Sequence, residues 1–277
     1  MDYKLCIGTG MGFSLPVEEQ IILIKKAGFD GFFTDAEDYE KIEKYACIAK
    51  KEGLAYQSIH APFGNMHIMW EGNDEDAQEV MNMLFSCIDS CKKAEVKILI
   101  CHVIIGMERH TPNKKGAERF LKVAEYAKEN GVRIAFENTE GEEYLQAVLD
   151  ICKNLDNVGF CYDSGHERCY NYNKDMLSLY GDRLIATHLN DNLGMKDVNN
   201  KTWHDDLHLL PFDGDSDWDY IALRLKKATC PQYLTFELIS QNKPGRNEHD
   251  IYKDMDFAAF VAEAYKRALQ IRQKINN

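Results

Sequence analysis

Eight short runs of β-branched, aromatic and other apolar residues recur along this 277-residue chain, each separated from the next by a stretch with helical patterning. They are KLCIGTG (4–10), FDGFFTD (29–35), LAYQSIHAP (54–62) and VKILICHV (96–103), followed by VRIAFENT (132–139), VGFCYDSGH (158–166), LIATHLNDN (184–192) and YLTFELIS (233–240). Several are almost continuously apolar, as a strand covered on both faces must be. Strands that alternate with helices imply a parallel sheet clad in helices. Eight such units favour closure over an open sheet, so the expected fold is α/β, a (β/α)8 TIM barrel, and the length is usual for one. No Pro/Ser-rich linker or change of composition interrupts the chain, and a single domain over residues 1–277 is expected.

The punctuation between the runs agrees. In PVEEQIILIKKAG, Pro16 suits a first helical turn, acidic residues follow it, and Lys25, Lys26 and Gly28 close the end. Gly131 suits the left-handed position between a helix and the run at 132, and a last helix is expected over roughly 250–275 from its apolar spacing. No GxGxxG follows the first run, which weakens a dinucleotide-binding alternative.

Composition narrows the class. With 45% hydrophobic and 28% charged residues the chain has material for a large core. No apolar run approaches the roughly 18 residues that span a membrane, and MDYKLCIGTG has no signal-peptide pattern. Nine cysteines without a CxxC pair read as reduced, mostly buried thiols, and a cytoplasmic location is expected. A net charge of −12 argues against a general nucleic-acid-binding surface.

Ligand-type side chains gather at one place in this scheme. His60, His102 and Glu137 end the third, fourth and fifth runs; Asp163 and His166 end the sixth; His188 lies on the seventh and Glu237 on the eighth. The segment HDDLH adds Asp206 and His208 from the loop after the seventh run. All lie at or beyond carboxyl ends of expected strands, where barrel enzymes build their sites. Singly, each histidine is more often a capped or core residue than a ligand. Burying Glu137 in RIAFENT and Glu237 in YLTFELI, however, is costly without a compensating cation, and two such carboxylates converging on one barrel end make a divalent metal the economical explanation.

The ordered pieces IHAPF, FENT, DSGH, HLNDN, DLH followed by PFDGDSDW, and FELI resemble the xylose-isomerase-like barrel superfamily over nearly the whole chain. That superfamily includes sugar and sugar-phosphate isomerases and epimerases and the endonuclease IV type of DNA-repair enzyme. The epimerase branch implies one metal held by Glu137, Asp163, His188 and Glu237, with His166 hydrogen-bonding the substrate. This oxygen-rich set suits Mn²⁺, Mg²⁺, Co²⁺ or Zn²⁺. The endonuclease IV branch implies up to three zinc ions on His60, His102, Glu137, Asp163, His166, His188, Asp206, His208 and Glu237, and every position carries a compatible residue.

Two chemistries follow. An isomerase or epimerase would take a small sugar or sugar phosphate, with Glu137 and Glu237 moving a proton through an enediolate. Phe13, Phe63, Trp70, Trp203 and Phe212 are candidates for the cover of its pocket. A multi-zinc phosphodiesterase acting on abasic DNA is the alternative, but DAEDYEK and MWEGNDEDAQE are acidic where phosphate-tracking loops would be basic. Arg109, Lys114 and Lys115 form the best basic cluster, and a solvated helix start explains it equally well. The substrate-binding Arg common in the epimerase branch after the seventh strand is absent; Lys196 and Arg168 are the nearest cations. Asp191 is either a group that orients a ligand or a cap of the following turn. No membrane partner is expected, and a homo-oligomer is compatible with the sequence.

Overall fold

The computed structural model describes residues 3–107, 111–229 and 231–277. Eight parallel strands are present: β1 Lys4–Gly8, β2 Gly31–Asp35, β3 Ala55–His60, β4 Ile98–Cys101, β5 Arg133–Glu137, β6 Val158–Asp163, β7 Leu184–His188 and β8 Tyr233–Phe236. They run in the order β7-β6-β5-β4-β3-β2-β1-β8. The seam between β7 and β8 is drawn together just past β7: Leu189 N–H donates to Thr235 O (2.8 Å), and Thr235 N–H donates to the Thr187 hydroxyl (2.9 Å). The sheet is thereby a nearly closed TIM barrel wrapped by helices.

Each expected strand forms, and all but β2 end earlier than their apolar runs. At β6 the chain leaves the ladder because a side chain takes up a local backbone donor. Asp163 shows the reason: its carboxylate accepts the His166 N–H at 2.7 Å and so caps the short helix Ser164–Cys169. His166 therefore lies on a helical turn and not on the strand end expected for it. The helix Val17–Ala27 begins after Pro16 and ends at Gly28 in the left-handed region (φ 112°), and Gly131 also adopts positive φ (70°). The last helix runs Phe257–Asn276, with Asp256 capping it; residues 250–252 belong instead to a 3-10 turn.

The core lies mostly between sheet and helices, where Phe120, Phe136, Phe160 and Phe260 are fully buried. Inside the barrel, Ile98, Ile100, Ala135, Cys161 and Ala186 form a separate apolar cluster. Seven of the eight described cysteines are buried, and all eight are free thiols. Among the described residues no helix is long and apolar enough to cross a membrane.

Candidate metal centre

Strand alternation explains how the candidate ligands meet. Ile100, Ala135, Cys161 and Ala186 point into the barrel, and side chains two residues on share that face. Those positions are His102, Glu137, Asp163 and His188. Register then levels them: Asp163 pairs with His188 across β6 and β7, aided by a bulge between Phe160 and Cys161. All nine candidate residues come together at the carboxyl end of the barrel.

Glu137 is their hub. Its side chain is fully buried, and one carboxylate oxygen, Oε2, lies 3.4 Å from His60 Nε2 and 3.5 Å from His102 Nε2. The other, Oε1, lies 3.1 Å from His188 Nδ1 and 3.5 Å from His166 Nδ1. Glu237 Oε2 stands 3.3 Å from His188 Nδ1. On the far side Asp206 Oδ2 meets His208 Nε2 at 2.9 Å and His166 Nε2 at 3.3 Å. Ligand atoms within 4.8 Å of one another define three groups: Glu137, Asp163, His188 and Glu237; His60, Glu137 and His188; and His166, Asp206 and His208.

Surrounding groups fix these side chains. The Nδ1 atoms of His60, His166 and His208 face the carbonyls of Ala61 (2.9 Å), Asn138 (2.9 Å) and Glu237 (3.2 Å), which turns each Nε2 toward the site. Asn190 donates to both Asp163 oxygens, at 2.9 and 3.2 Å. A Cβ on Gly165 would stand 1.9 Å from Asn190 Oδ1, so DSGH requires glycine at its third position.

The HDDLH loop is held in an uncommon conformation. His208 has φ 53°, a region that few residues other than glycine adopt. It is pinned on both sides: Leu209 pairs with Asp191, Ile239 N–H donates to His208 O (2.9 Å), and His249 Nε2 contacts Leu207 O (2.8 Å). Of the two roles expected for it, Asp191 takes the cap. Its carboxylate accepts from the N–H groups of Phe212 and Ser216 and from the Trp218 indole, and so caps the turn that follows. Gly214 is obligatory there, because a Cβ would lie 2.3 Å from Asp191 Oδ1.

Most of the carboxylates and histidines of the site hold one another in their charged forms, whereas burial drives Asp163 and His102 toward neutrality. Burial pushes Glu237 up, but His188 and His208 outweigh it and bring its carboxyl to about 2. Glu137 is likewise held well below the usual carboxylate range by His188, His102 and His60 against the cost of burial. Burial raises Asp163 to about 6 and lowers His102 to about 4. His208 rises to about 9 because Asp206 overcomes its desolvation. A raised histidine contributes stability that is complete below its unfolded value of 6.5 and lost as pH climbs through 9. Protein stripped of metal by a chelator is thus expected to lose on the order of 3 kcal/mol between pH 6.5 and 9.5. Urea unfolding at the two pH values measures this, and an unchanged midpoint would refute the pairing.

Three buried atoms of the site lack a hydrogen-bond partner: Glu137 Oε2, His102 Nδ1 and His188 Nε2. An unmade bond in such a place is costly. A fully buried carboxylate oxygen ringed by imidazole nitrogens, beside two further acids, fits a divalent cation.

Above the cluster opens a cavity of about 730 Å³, within the range of small-molecule sites. Phe13, Phe63 and Trp203 line it as expected. Trp70 does not: it is buried against Phe120 and Tyr144, with its indole bonded to Val103 O (2.7 Å). Phe212 packs on Trp218 instead. Sequence reasoning passed over Phe33, Asp35, Glu140, Tyr170 and Lys243, which also line the cavity. Phe33 stacks on His188 with centroids 4.7 Å apart, and only the alternation of β2 could have marked it. Arg168 is committed to Asp215 (2.7 Å) and Lys196 to Glu248 (3.3 Å), so neither replaces the missing substrate arginine. Asp205 pairs with Arg246 outside the cluster. Lys114 and Lys115 pair with Glu118 and Asp74 on a helix start, while Arg109 lies outside the described residues.

A family model described as xylose isomerase-like TIM barrel matches residues 21–259. The uncharacterized protein y4fM of Sinorhizobium fredii (strain NBRC 101917 / NGR234) is 40% identical, with 80% of each chain covered. Among solved structures, D-psicose 3-epimerase from Clostridium cellulolyticum H10, solved with D-tagatose, superposes with a TM-score of 0.74 at 16% identity, covering 98% of this chain and 99% of that one. The IolI protein, solved with a zinc atom, gives 0.75 at 20% identity, with 98% and 99% covered. At these identities the two structural likenesses speak to the fold.

Proposed function

The chain belongs to the xylose isomerase-like TIM-barrel family, and on that premise we propose that it is a divalent-metal-dependent isomerase or epimerase of a small sugar or sugar phosphate. The observation that carries this reading is the convergence of Glu137, Asp163, His188 and Glu237, their ligand atoms within 4.8 Å of one another, at the base of a cavity of small-molecule size. The epimerase and the zinc-bearing protein among the structural likenesses support it.

Those four side chains would hold the metal, and the oxygen-rich set suits Mn²⁺, Mg²⁺, Co²⁺ or Zn²⁺. When bound, such a cation polarises a carbonyl and acidifies the neighbouring carbon-bound proton. Of these four ligands Glu237 is the one that lines the cavity, with about a quarter of its side chain exposed, and it takes the proton from that carbon to leave an enediolate. Glu137, fully buried behind the cluster, is the second acid/base candidate. His166 keeps Nδ1 on the Asn138 carbonyl and lines the cavity, placed to hold a substrate oxygen. Phe13, Phe63 and Trp203 limit access of water.

A second reading rests on the additional groupings around His60 and His102 and around Asp206 and His208. They would allow three zinc ions and phosphodiester cleavage at abasic DNA. The acidic loops and the ion-paired Lys114 and Lys115 weigh against it.

Chelator treatment followed by a ketose panel tests the first reading. Conversion is expected to disappear on metal removal and return with one of the four cations. Inert ketoses together with cleavage of abasic DNA would replace it with the second.

A further inference from the structure

Lys243, in the loop after β8, is the only lysine or arginine among the described residues that line the cavity. It is half-buried, and its ammonium sits 5.3 Å from the centre of the Trp203 ring. No carboxylate of the described residues pairs with it, although the chain has 45 acidic residues against 33 basic ones. Two other cations of these loops are taken. Lys196 holds Glu248 at 3.3 Å, and Arg246 holds both Glu248 (2.9 Å) and Asp205. A cation–π contact of this kind contributes about 0.5–1 kcal/mol and leaves the three ammonium donors free. The ring therefore fixes where the ammonium stands without satisfying it.

The rest of the lining sharpens its meaning. Asp35, Glu140, Asp206 and Glu237 are the other charged groups on the wall, apart from its histidines. Asp35 and Glu140 would repel an anion while offering acceptors to hydroxyls. An anionic group on a ligand that reaches the metal cluster thus has one complementary lysine or arginine on the wall.

We propose that Lys243, positioned by Trp203, is the anion-recognising residue of this cavity, and that the substrate is a sugar bearing a carboxylate or phosphate. This rests on the isomerase reading and narrows it to anionic sugars.

Calorimetric binding to the metal-loaded protein tests the proposal with three non-reacting probes: D-glucitol, D-gluconate and D-glucitol 6-phosphate. At least one anion is expected to bind about tenfold tighter than the neutral polyol, an increment of roughly 1.4 kcal/mol. The preferred anion tells carboxylate from phosphate. Lys243→Met should erase the preference and leave D-glucitol binding unchanged, with Lys243→Gln as a polar replacement giving the same result. Failure of both anions to bind, equal affinity for all three probes, or a preference that survives both substitutions would overturn it; the last would place the anion on the metal. Binding is read without turnover, so an anion preference beside inert ketoses would leave this subsite standing and remove the isomerase reading. Ketose conversion without charge preference would do the reverse.

Discussion

Glu237→Gln is expected to lower turnover of a responsive ketose by about 10²–10⁴-fold, the usual worth of a positioned general base. The amide keeps the size of the side chain and one carbonyl oxygen toward His188 and His208, which stand 3.3 and 3.5 Å from the native carboxylate. It cannot take a carbon-bound proton. Exchange of that proton with solvent should therefore stop even where metal content, read by elemental analysis of the same sample, stays near wild type. Retained exchange at matched metal content would remove Glu237 from the acid/base role.

Glu137→Ala should act on the metal itself. Its carboxylate, on β5, is within 3.5 Å of nitrogens from four histidines, which come from β3, β7, the loop after β4 and the short helix after β6. Deleting it removes a ligand shared by two of the three groupings and leaves buried rings without their counter-charge. Metal content of protein purified without chelators is expected to fall at least about tenfold, as it does when ligands or their supports are lost. The metal-free variant should be destabilised by about 3–5 kcal/mol, the cost of breaking a buried charged pair. His208→Ala provides the contrast, because the set of Glu137, Asp163, His188 and Glu237 does not include it. Occupancy of that set should survive His208→Ala, and its loss would show that the groupings act as one cooperative cluster.

Much of this was legible in the residues. Continuous apolar runs disclosed the strands, because a strand buried on both faces cannot alternate. The ligands were legible because carboxylates such as Glu137 and Glu237 stand out in apolar strands. Strand ends were read too long, since nothing in VGFCYDSGH states that Asp163 will cap a helical turn. Trp70 and Phe212 illustrate a second limit. An aromatic residue in a loop packs wherever the nearest helix or strand leaves room, and that depends on tertiary placement. The roles of Asn190, Gly165 and Lys243 were also invisible, since they arise from contacts across 25 or more positions or, for Lys243, from ion pairs that do not form.

Solvent deuterium incorporation tests the central claim most directly. Metal-loaded protein incubated in D₂O with a panel of neutral and anionic ketoses should place deuterium on the carbon next to the carbonyl of at least one of them, and Glu237→Gln should abolish the label. Isomerised product without label in the wild type, or label that persists at wild-type rate in Glu237→Gln, would contradict proton transfer by the carboxylate at this metal centre.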